Sequence, residues 1–346
     1  MHHLLLPQTG RPVVQLAAPH QQQGNQVNDS NKDKLQILEL FGGIGAPRCA
    51  YRNLGVPVKS IDYVEVDERA VRSYNAMFAN ELRYHTQDIR GWNLRPDVLV
   101  HGSPCQDFSI AGRQQGADEG SGTRSSLMWE TLRIIRNLGE WKPRVVIWEN
   151  VTNVLSRHMR HNFDKYLTAM RAMGYANTYD TLNAMDFGLP QARKRVFTVS
   201  ILHGAPFSFD RLEHTPMRPI GQFLEHTDEP QYKVTQPSIL SRIGVRSKTG
   251  FRGDIPVITD HVMTIATKQM RCPNSGVLET SPGCYRYLTE RECWRLQGFT
   301  DNDFNAALKA NPGKPHRMNG TLYKQAGNSM PVPILESIFK QLQTIR

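Results

Sequence analysis

The chain lacks features that would assign it to several common protein classes. Its five cysteines are odd in number and form no close Cys-x-x-Cys pair, so neither a disulfide framework nor a zinc knuckle is indicated. No segment approaches the roughly 20 apolar residues that a membrane span needs. The N-terminus has neither the charged start nor the cleavage site of a signal peptide. We therefore expect a reduced, cytoplasmic protein with no metal ion and no membrane partner.

Acidic residues are scarce relative to basic ones. Lysine and arginine total 42 against 32 for aspartate and glutamate, which gives a formal charge of +10. Such an excess favours polyanionic partners, although many basic proteins bind no nucleic acid. The length of 346 residues suits two domains, on a rough prior of about 150 residues per domain.

The chain divides by composition into four segments. Residues 1–33 are rich in Gln, Asn, His and Pro and predict a disordered tail, because so polar a segment buries no core. Residues 34–203 alternate strand and helix patterns, which predicts an α/β domain with a parallel sheet wrapped by helices. In residues 204–285 this rhythm fails and prolines and glycines become frequent, which predicts a smaller irregular lobe. Residues 286–346 return to helical spacing and are expected to complete both the α/β domain and the irregular lobe.

Hydrophobic periodicity and punctuation residues place the individual elements. Thr289 to Glu292 has the spacing of an N-terminal capping arrangement. The predicted strands are 35–40, 60–66, 98–100, 145–148 and 196–200, and the predicted helices are 45–54, 68–78, 126–138, 163–173, 289–297 and 328–342.

A glycine-rich loop follows the first predicted strand and opens a helix. In Phe41-Gly42-Gly43-Ile44-Gly45, bare backbone amides can approach the polar groups of a ligand closely. Glu65 ends the second strand, where a dinucleotide fold has its ribose-binding carboxylate, and Asp88-Ile89 follow the next segment. Arg48 replaces the third glycine of G-x-G-x-x-G, which disfavours a pyrophosphate. An adenosyl ligand without phosphates fits better.

A cysteine follows the third predicted strand. The run His101-Gly102-Ser103-Pro104-Cys105-Gln106 can hold a thiol at the edge of a parallel sheet, where open α/β folds carry their chemistry. A small buried hydrophobic residue is the alternative interpretation of any lone cysteine. The glycine-rich polar run 112–125 after it predicts a mobile lid, with plain surface disorder as the alternative.

Three charged side chains are candidates for the same edge. Glu149 ends the fourth strand, and burial against Trp148 is expected to raise its pKa and keep a proton available for a pyrimidine nitrogen. Arg193 and Arg195 alternate before the strand 196–200, so both are expected on one face, where they suit a phosphate or a carbonyl oxygen. For each of them, a solvated surface charge is the alternative.

Taken together and in this order, these motifs resemble those of the cytosine-C5 DNA methyltransferase family. Residues 40–45 look like the S-adenosylmethionine loop, Pro104-Cys105-Gln106 like the catalytic turn, and Glu149-Asn150-Val151 like the acid motif. Gln191-x-Arg193-x-Arg195 resembles the motif that steadies the target cytosine, and residues 291–299 resemble the motif that organises the recognition lobe. The resemblance covers nearly everything from Leu35 to Leu342 except the irregular lobe.

The resemblance implies a Rossmann-like S-adenosylmethionine-dependent fold and assigns the remaining site residues. Two departures from the family pattern, Ala46-Pro47 and Val66 in place of an aromatic residue, predict weaker stacking on adenine. The catalytic residues implied are Cys105, Gln106, Glu149, Asn150, Arg193 and Arg195, and the cofactor-binding residues are Phe41, Gly43, Ile44, Gly45, Glu65, Val66, Asp88, Ile89, Pro104, Leu127 and Asn328.

The resemblance also implies a mechanism and partners. The target cytosine leaves the double-stranded DNA, Cys105 attacks its C6 while Glu149 supports N3, and C5 takes the methyl group of S-adenosyl-L-methionine. The lobe 204–285 would read the major groove. The implied setting is a monomer in a bacterial nucleoid or a phage-infected cell, in restriction-modification with a cognate endonuclease or in phage self-protection.

Three other functions compete with this interpretation. A Rossmann dehydrogenase shares the glycine-rich loop and Glu65 but has no use for Cys105 beside Glu149. A tRNA cytosine methyltransferase shares the fold, but the long segment 204–285 disfavours it. The intact Pro104-Cys105 and Glu149-Asn150 motifs argue against a catalytically idle relative that only binds DNA.

Overall fold

A computed structural model describes residues 34–79, 83–86, 96–102, 127–245 and 254–343, with the backbone alone for 59–62. No helix among these residues is long and apolar enough to cross a membrane. Several sequence predictions lie outside the described residues: the tail 1–33, Asp88, Ile89, Pro104, Cys105, Gln106 and the run 112–125.

The N-terminal part alternates strands with helices through residue 202. Proline at the start of the first helix and an Asp67 side chain that caps the second fix where these helices begin. The elements are β1 (Leu35–Leu40), α1 (Ala46–Asn53), β2 (Val58–Val64), α2 (Glu68–Met77), β3 (Val98–His101), α3 (Leu127–Asn137), β4 (Val145–Val151), α4 (Arg160–Ala172), β5 (Tyr175–Asn183), β6 (Gln191–Ala192) and β7 (Lys194–Leu202).

Six of these strands form one sheet in the order β2-β1-β3-β4-β7-β5. The pairs β1/β2, β1/β3 and β3/β4 are parallel, whereas β7 lies antiparallel between β4 and β5. The carboxyl ends of β1 to β4 therefore meet at one edge, where an open α/β sheet binds its ligands. Helices on both faces make this the mostly parallel α/β architecture that the sequence predicted.

Alternate residues of the strands enter two separate apolar clusters. The last two described helices are α8 (Gly320–Asn328) and α9 (Val332–Gln343). On one face of the sheet, Ile37, Val100 and Ile147 pack in a large cluster with residues of α1, α2, α8 and α9. On the other face, Leu99 and Trp148 pack in a second cluster with α3 and α4. The sheet is buried on both faces, as a parallel sheet requires.

Residues 204–285 contain only short elements in their described part. These are α5 (Pro237–Leu240), β8 (Val262–Met263), β9 (Leu278–Ser281) and β10 (Cys284–Arg286), followed by α6 (Glu290–Arg295) and α7 (Asp301–Ala310). Phe207, Leu212 and Phe223 pack in the large cluster of the sheet. A small third cluster comprises Val234, Ile239, Ile255, Val277 and Tyr287.

The structure corrects several predicted elements. The strand β5 was missed, because its sequence YANTYDTLN is polar and alternates weakly. The strand predicted at 60–66 ends at Val64, because the Glu65 carboxylate binds the amides of Val66 and Asp67. The strand predicted at 145–148 continues to Val151, which pairs with β7.

The predicted helix 328–342 is wrong at its start. Asn328 is the last residue of α8, Ser329 is extended, and α9 begins at Val332. Met330 precedes Pro331, and the residue before a proline disfavours the helical conformation. The predicted capping arrangement is confirmed: Thr289 and Glu292 form a capping box at the start of α6.

Candidate active site

The glycine-rich loop lies between β1 and α1, and its conformation requires glycine. Gly43 and Gly45 have φ of 55° and 79°, which side chains rarely adopt. A Cβ on Gly42 would lie 2.6 Å from the Tyr63 ring, and a Cβ on Gly45 would lie 2.6 Å from the Tyr74 ring. A Cβ on Gly43 would meet nothing within 4 Å. The loop thus packs its backbone on two stacked tyrosines and leaves Gly43 open.

A buried polar cluster supports this loop from below. Tyr74 donates a 2.5 Å hydrogen bond to Glu39, and Arg48 donates to the Tyr74 hydroxyl at 3.0 Å. Burial raises the pKa of Glu39 to about 7, against the opposing effects of Tyr74 and Arg48. Tyr63 donates a 2.5 Å hydrogen bond to the Gly43 carbonyl. The Arg48 guanidinium therefore belongs to this cluster under the loop.

Glu65 joins the loop to the end of β2. Its Oε2 accepts the Gly43 amide at 3.0 Å, and its Oε1 accepts the amides of Val66 and Asp67 at 2.8 and 2.9 Å. A carboxylate has about four acceptor positions, so one remains for a ligand hydroxyl. Gly45 donates its own amide to the Gly42 carbonyl. Because two loop amides are committed within the protein, the loop suits an adenosyl group better than a pyrophosphate.

The other described residues of the predicted cofactor site lie at the same edge of the sheet. Val66 follows Glu65 and exposes 70 % of its surface, so its side chain is available for an apolar contact with an adenine. Phe41 and Leu127 are half-buried after β1 and at the start of α3, and Asn328 is exposed at the end of α8. The Ile44 side chain is 2 % exposed, so it contributes packing rather than a ligand contact. These residues fit S-adenosylmethionine.

Glu149 lies beside the peptide that leads from β3 into the predicted catalytic turn. A Cβ on Gly102 would lie 3.6 Å from Glu149 Oε2 and 2.9 Å from the Met330 methyl group. Arg195 forms an ion pair with Glu149 at 3.2 Å. Burial raises the pKa of the Glu149 carboxyl, and the charges of Arg195 and then Arg193 oppose that rise.

The expected burial of Glu149 against Trp148 is wrong in detail. Successive residues of a strand point to opposite faces. The Trp148 ring packs against Tyr166, Phe163 and His101 in the second cluster. Glu149 instead pairs with Arg195, and its carboxylate lies beside Gly102.

Arg193 and Arg195 have different roles, although the positive charges of both oppose the rise in the pKa of Glu149. Arg193 is 2 % exposed and donates to the carbonyls of Ile265, Gly327 and Ser329 at 3.1, 3.0 and 2.8 Å. The carbonyl oxygens that it binds are the protein's own. Arg193 thereby holds two distant segments, the one around Ile265 and the end of α8, at the edge of the sheet.

Gln191 and Gln297 complete these long-range connections. Gln191 donates to the Leu296 carbonyl at 2.8 Å and accepts the Ile265 amide at 3.1 Å. Gln297 donates to the Ala326 carbonyl at 2.7 Å. The segments after β6, β8 and α6 are therefore tied to the end of α8.

The motif at residues 291–299 begins with a buried charge network. Glu292 accepts two hydrogen bonds from Arg286 at 2.7 and 2.9 Å and one from the Glu225 amide at 2.7 Å. Arg291 forms an ion pair with the Glu225 carboxylate at 2.9 Å. A bidentate arginine–carboxylate pair fixes orientation as well as charge. The network ties α6 to the irregular segment.

The structure thus brings Glu149, Arg193 and Arg195 together, and likewise Gly43 and Glu65. Asn150 is buried in β4, where its side chain accepts the Val151 amide at 2.8 Å. Sequence reasoning missed Gly102 and Met330 as neighbours of Glu149. Asn328, a predicted cofactor residue two positions before Met330, was the one sequence signal that pointed to this segment.

Comparisons with known proteins show similarity over most of the chain. A family model described as "C-5 cytosine-specific DNA methylase" matches residues 35–271 and 244–344. Type II methyltransferase M2.ScrFI of Lactococcus lactis subsp. cremoris is 33 % identical over 84 % of this chain and 80 % of its own length. Type II methyltransferase M.NgoBI of Neisseria gonorrhoeae is 30 % identical over 88 % of this chain and 92 % of its own length.

Solved structures resemble this chain in fold. The crystal structure of S. pombe Dnmt2 methyltransferase superposes with a TM-score of 0.69 at 19 % identity, over 89 % of this chain and 98 % of that one. The Entamoeba histolytica methyltransferase EhMeth gives a TM-score of 0.69 at 17 % identity, over 90 % and 99 % of the two chains.

Proposed function

This chain belongs to the C-5 cytosine-specific DNA methylase family, and from that premise we propose which of its residues carry out the reaction. The enzyme transfers a methyl group to C5 of cytosine in DNA. Its cofactor, S-adenosylmethionine, supplies an electrophilic methyl group next to the base. The single observation that carries the residue assignment is the position of Glu149, whose carboxylate lies beside the Gly102 peptide three residues before Cys105.

The cofactor-binding residues act through backbone and surface groups. Glu65 accepts a hydrogen bond from a ribose hydroxyl, while its other acceptor positions bind backbone amides such as that of Gly43. The exposed side chain of Val66 lies against the adenine. Asp88 and Ile89 complete the adenosyl site, and Asn328 binds the methionine end. Leu127 and Phe41 exclude water from the same side.

The reacting base is bound by Glu149 and Arg195 and attacked by Cys105. The cytosine is extruded from the duplex, because its C6 is inaccessible in the base stack. The Cys105 thiolate forms a bond to C6 while Glu149 holds a proton at N3, and the electron pair of the C5–C6 double bond becomes available at C5. C5 would then bond to the methyl carbon as that carbon's bond to the sulfonium sulfur breaks, with a neutral thioether as the leaving group. Loss of the C5 proton then expels Cys105. Arg193 keeps the surrounding segments in register.

The irregular lobe supplies sequence recognition in this proposal. Residues 204–285 read the major groove, where the four base pairs are distinguishable. The buried Arg286–Glu292 pair orients the lobe against α6. The names of the relatives include Type II methyltransferases and an orphan methyltransferase of Bacillus phage SPR. We propose that the chain acts as a monomer in a restriction-modification or self-protecting role, in the same compartment as its DNA.

The Cys105→Ala variant tests the nucleophile. We expect it to bind DNA as the wild type does and to transfer no methyl group, because no other group attacks C6. Cys272→Ala is the matched control, since Cys272 is an exposed free thiol outside the site. Methyl transfer is measured with labelled cofactor. Turnover by the Cys105→Ala variant would remove the assignment.

Covalent trapping tests the same step without a change in the protein. A target duplex with 5-fluorocytosine should accumulate an adduct at Cys105, because fluorine does not leave as a proton does. A denaturing gel detects the adduct, and mass spectrometry locates it. A bound, cofactor-loaded complex that yields no adduct would contradict the mechanism.

A further inference from the structure

A group of exposed basic side chains surrounds the start of α8, away from the reacting groups. Lys268 and Arg271 lie on one turn, and Lys314, His316 and Arg317 lie on the loop before α8. We call these five residues the α8 basic patch. Among the described residues, no carboxylate forms an ion pair with any of them. Its positive charge is therefore available to a partner.

The loop that carries three of these residues is held in place from several sides. The Asn319 side chain donates to the Asn311 carbonyl at 2.8 Å, and the Asn319 amide donates to the buried Glu290 carboxylate. Met318 packs against both the large and the small apolar clusters. The loop is therefore anchored, so the charges on it have defined positions.

The facing turn is anchored as well. The amides of Arg271 and Cys272 both donate to the Lys268 carbonyl at 2.9 Å. The Met270 sulfur lies 2.9 Å from where a Cβ on Gly320 would be, so this turn touches the start of α8. Between the turn and the loop is a groove of about 550 Å³, lined by Met270, Gln231 and residues 312–314 and 316–320.

The position of the patch relates it to the target base. A Cβ on Gly327 would lie 2.5 Å from the Thr267 amide, so residues 266–270 run along α8 from its end to its start. The end of α8 is held by Arg193, beside Glu149. Nine helical residues span about 13 Å, so the patch lies about one helix length from the groups at the end of α8.

We propose that the α8 basic patch binds the phosphate backbone of the duplex on one side of the target cytosine. This inference rests on the proposed function, because it requires DNA whose target base reaches Glu149. Exposed lysine and arginine side chains with no acidic partner release counterions when they bind phosphates. The patch contributes affinity and position on the duplex without base recognition.

The test compares the salt dependence of DNA binding between two double variants. Lys314→Ala/Arg317→Ala removes two charges of the patch. Arg136→Ala/Arg171→Ala is the matched control, because it removes two exposed charges from α3 and α4, which pack on the other face of the sheet. The duplex carries the recognised sequence, identified first from 5-methylcytosine positions in DNA of cells that express the protein.

We expect the patch variant to lose about 1.8 units of the slope of log affinity against log salt, because each lost phosphate contact removes about 0.9. The control variant should keep the wild-type slope. The methyl-transfer rate at saturating DNA should be the same in all three proteins. A slope unchanged from the wild type would overturn the inference.

Truncated duplexes test the location of the contact. We use two duplexes, each cut back to about two base pairs beyond the target on one side or on the other. On one of them, the difference in affinity between the patch variant and the control should vanish. An equal difference on both truncated duplexes would overturn the inference. Wild-type protein that transfers no methyl group to cytosine C5 would overturn the proposed function itself.

Discussion

The two halves of the functional edge are built in different ways. The cofactor half, between β1 and β2, uses backbone amides and glycines packed on stacked tyrosines, and its Gly43–Glu65 hydrogen bond joins residues only 22 positions apart. The base half, between β3, β4 and β7, uses charged side chains: Arg195 pairs with Glu149, and Arg193 binds carbonyls 134 and 136 residues away. The comparison teaches that local spacing builds one half, while long-range packing builds the other.

The sharpest test of this division is Glu149→Gln. We expect kcat to fall by about 10²–10⁴-fold, because the variant removes the proton at N3, while cofactor affinity is unchanged. Burial raises the Glu149 pKa, so the carboxyl stays protonated to a higher pH than an ordinary glutamate. Activity therefore declines as pH rises through this raised pKa. The pH profile of kcat should lose this decline in the variant. Reduced cofactor affinity would break the comparison.

Glu39→Gln examines a second buried carboxyl, in the cofactor half. The Glu39 pKa is raised to about 7 in the folded protein, so its stabilising effect is complete below about pH 4.5 and is lost as pH rises through about 7. Relative to the variant, the wild type should lose about 3 kcal/mol of unfolding free energy across this range. Chemical denaturation at several pH values measures the difference.

The test uses the difference in unfolding free energy between variant and wild type, because His101 changes stability with pH in the opposite direction. Burial lowers its pKa to about 3, so its stabilising effect is present above about pH 6.5 and is lost as pH falls. His101 is unchanged in both proteins and cancels. If the difference in unfolding free energy between wild type and variant did not change between pH 4.5 and 8, the raised pKa of Glu39 would be contradicted.

Two glycine variants in the cofactor half distinguish an effect on folding stability from an effect on cofactor binding. Gly45→Ala should destabilise the protein by about 2 kcal/mol, because its Cβ meets the Tyr74 ring and its φ is positive. Gly43→Ala has a similar φ but open space, so it should cost about 1 kcal/mol and mainly weaken cofactor binding. Denaturation and calorimetric titration measure the two effects. Equal destabilisation would contradict the packing argument.

The smallest expected effect is that of Glu65→Gln. The amide keeps one acceptor oxygen for the backbone but loses the charge-assisted hydrogen bond to a ribose hydroxyl, so cofactor affinity should fall about tenfold. Adduct formation with 5-fluorocytosine at saturating cofactor should match the wild type. A large loss there would show that the two halves are coupled.

Much of the cofactor half was predictable from the sequence. The strand Leu35–Leu40 has the predicted bounds, and the loop and Glu65 were identified by their spacing after successive strands. Their contacts are local, and glycine at positive φ leaves a direct signature in the sequence. The missed strand β5 and the wrong start of the last helix both involve weakly patterned residues, at an edge strand and before Pro331.

In the base half, the sequence identified Glu149, Arg193 and Arg195 but not their surroundings. No spacing indicates that Arg193 reaches Gly327 and Ser329, or that Met330 lies next to Gly102. These contacts depend on how α8 packs against the segment after β8, which is a property of the folded core.

By itself, the sequence predicted the fold class from local periodicity and the family from the resemblance of its ordered motifs, and both predictions are confirmed. The cofactor loop and the reacting groups that the resemblance assigns stay predictions. Only the tertiary structure decided that Arg193 binds the protein's own carbonyls, that Glu149 pairs with Arg195 and does not pack against Trp148, and where the α8 basic patch lies. Burial and charge pairing are properties of residues far apart in sequence, and they take a value only after the chain has folded.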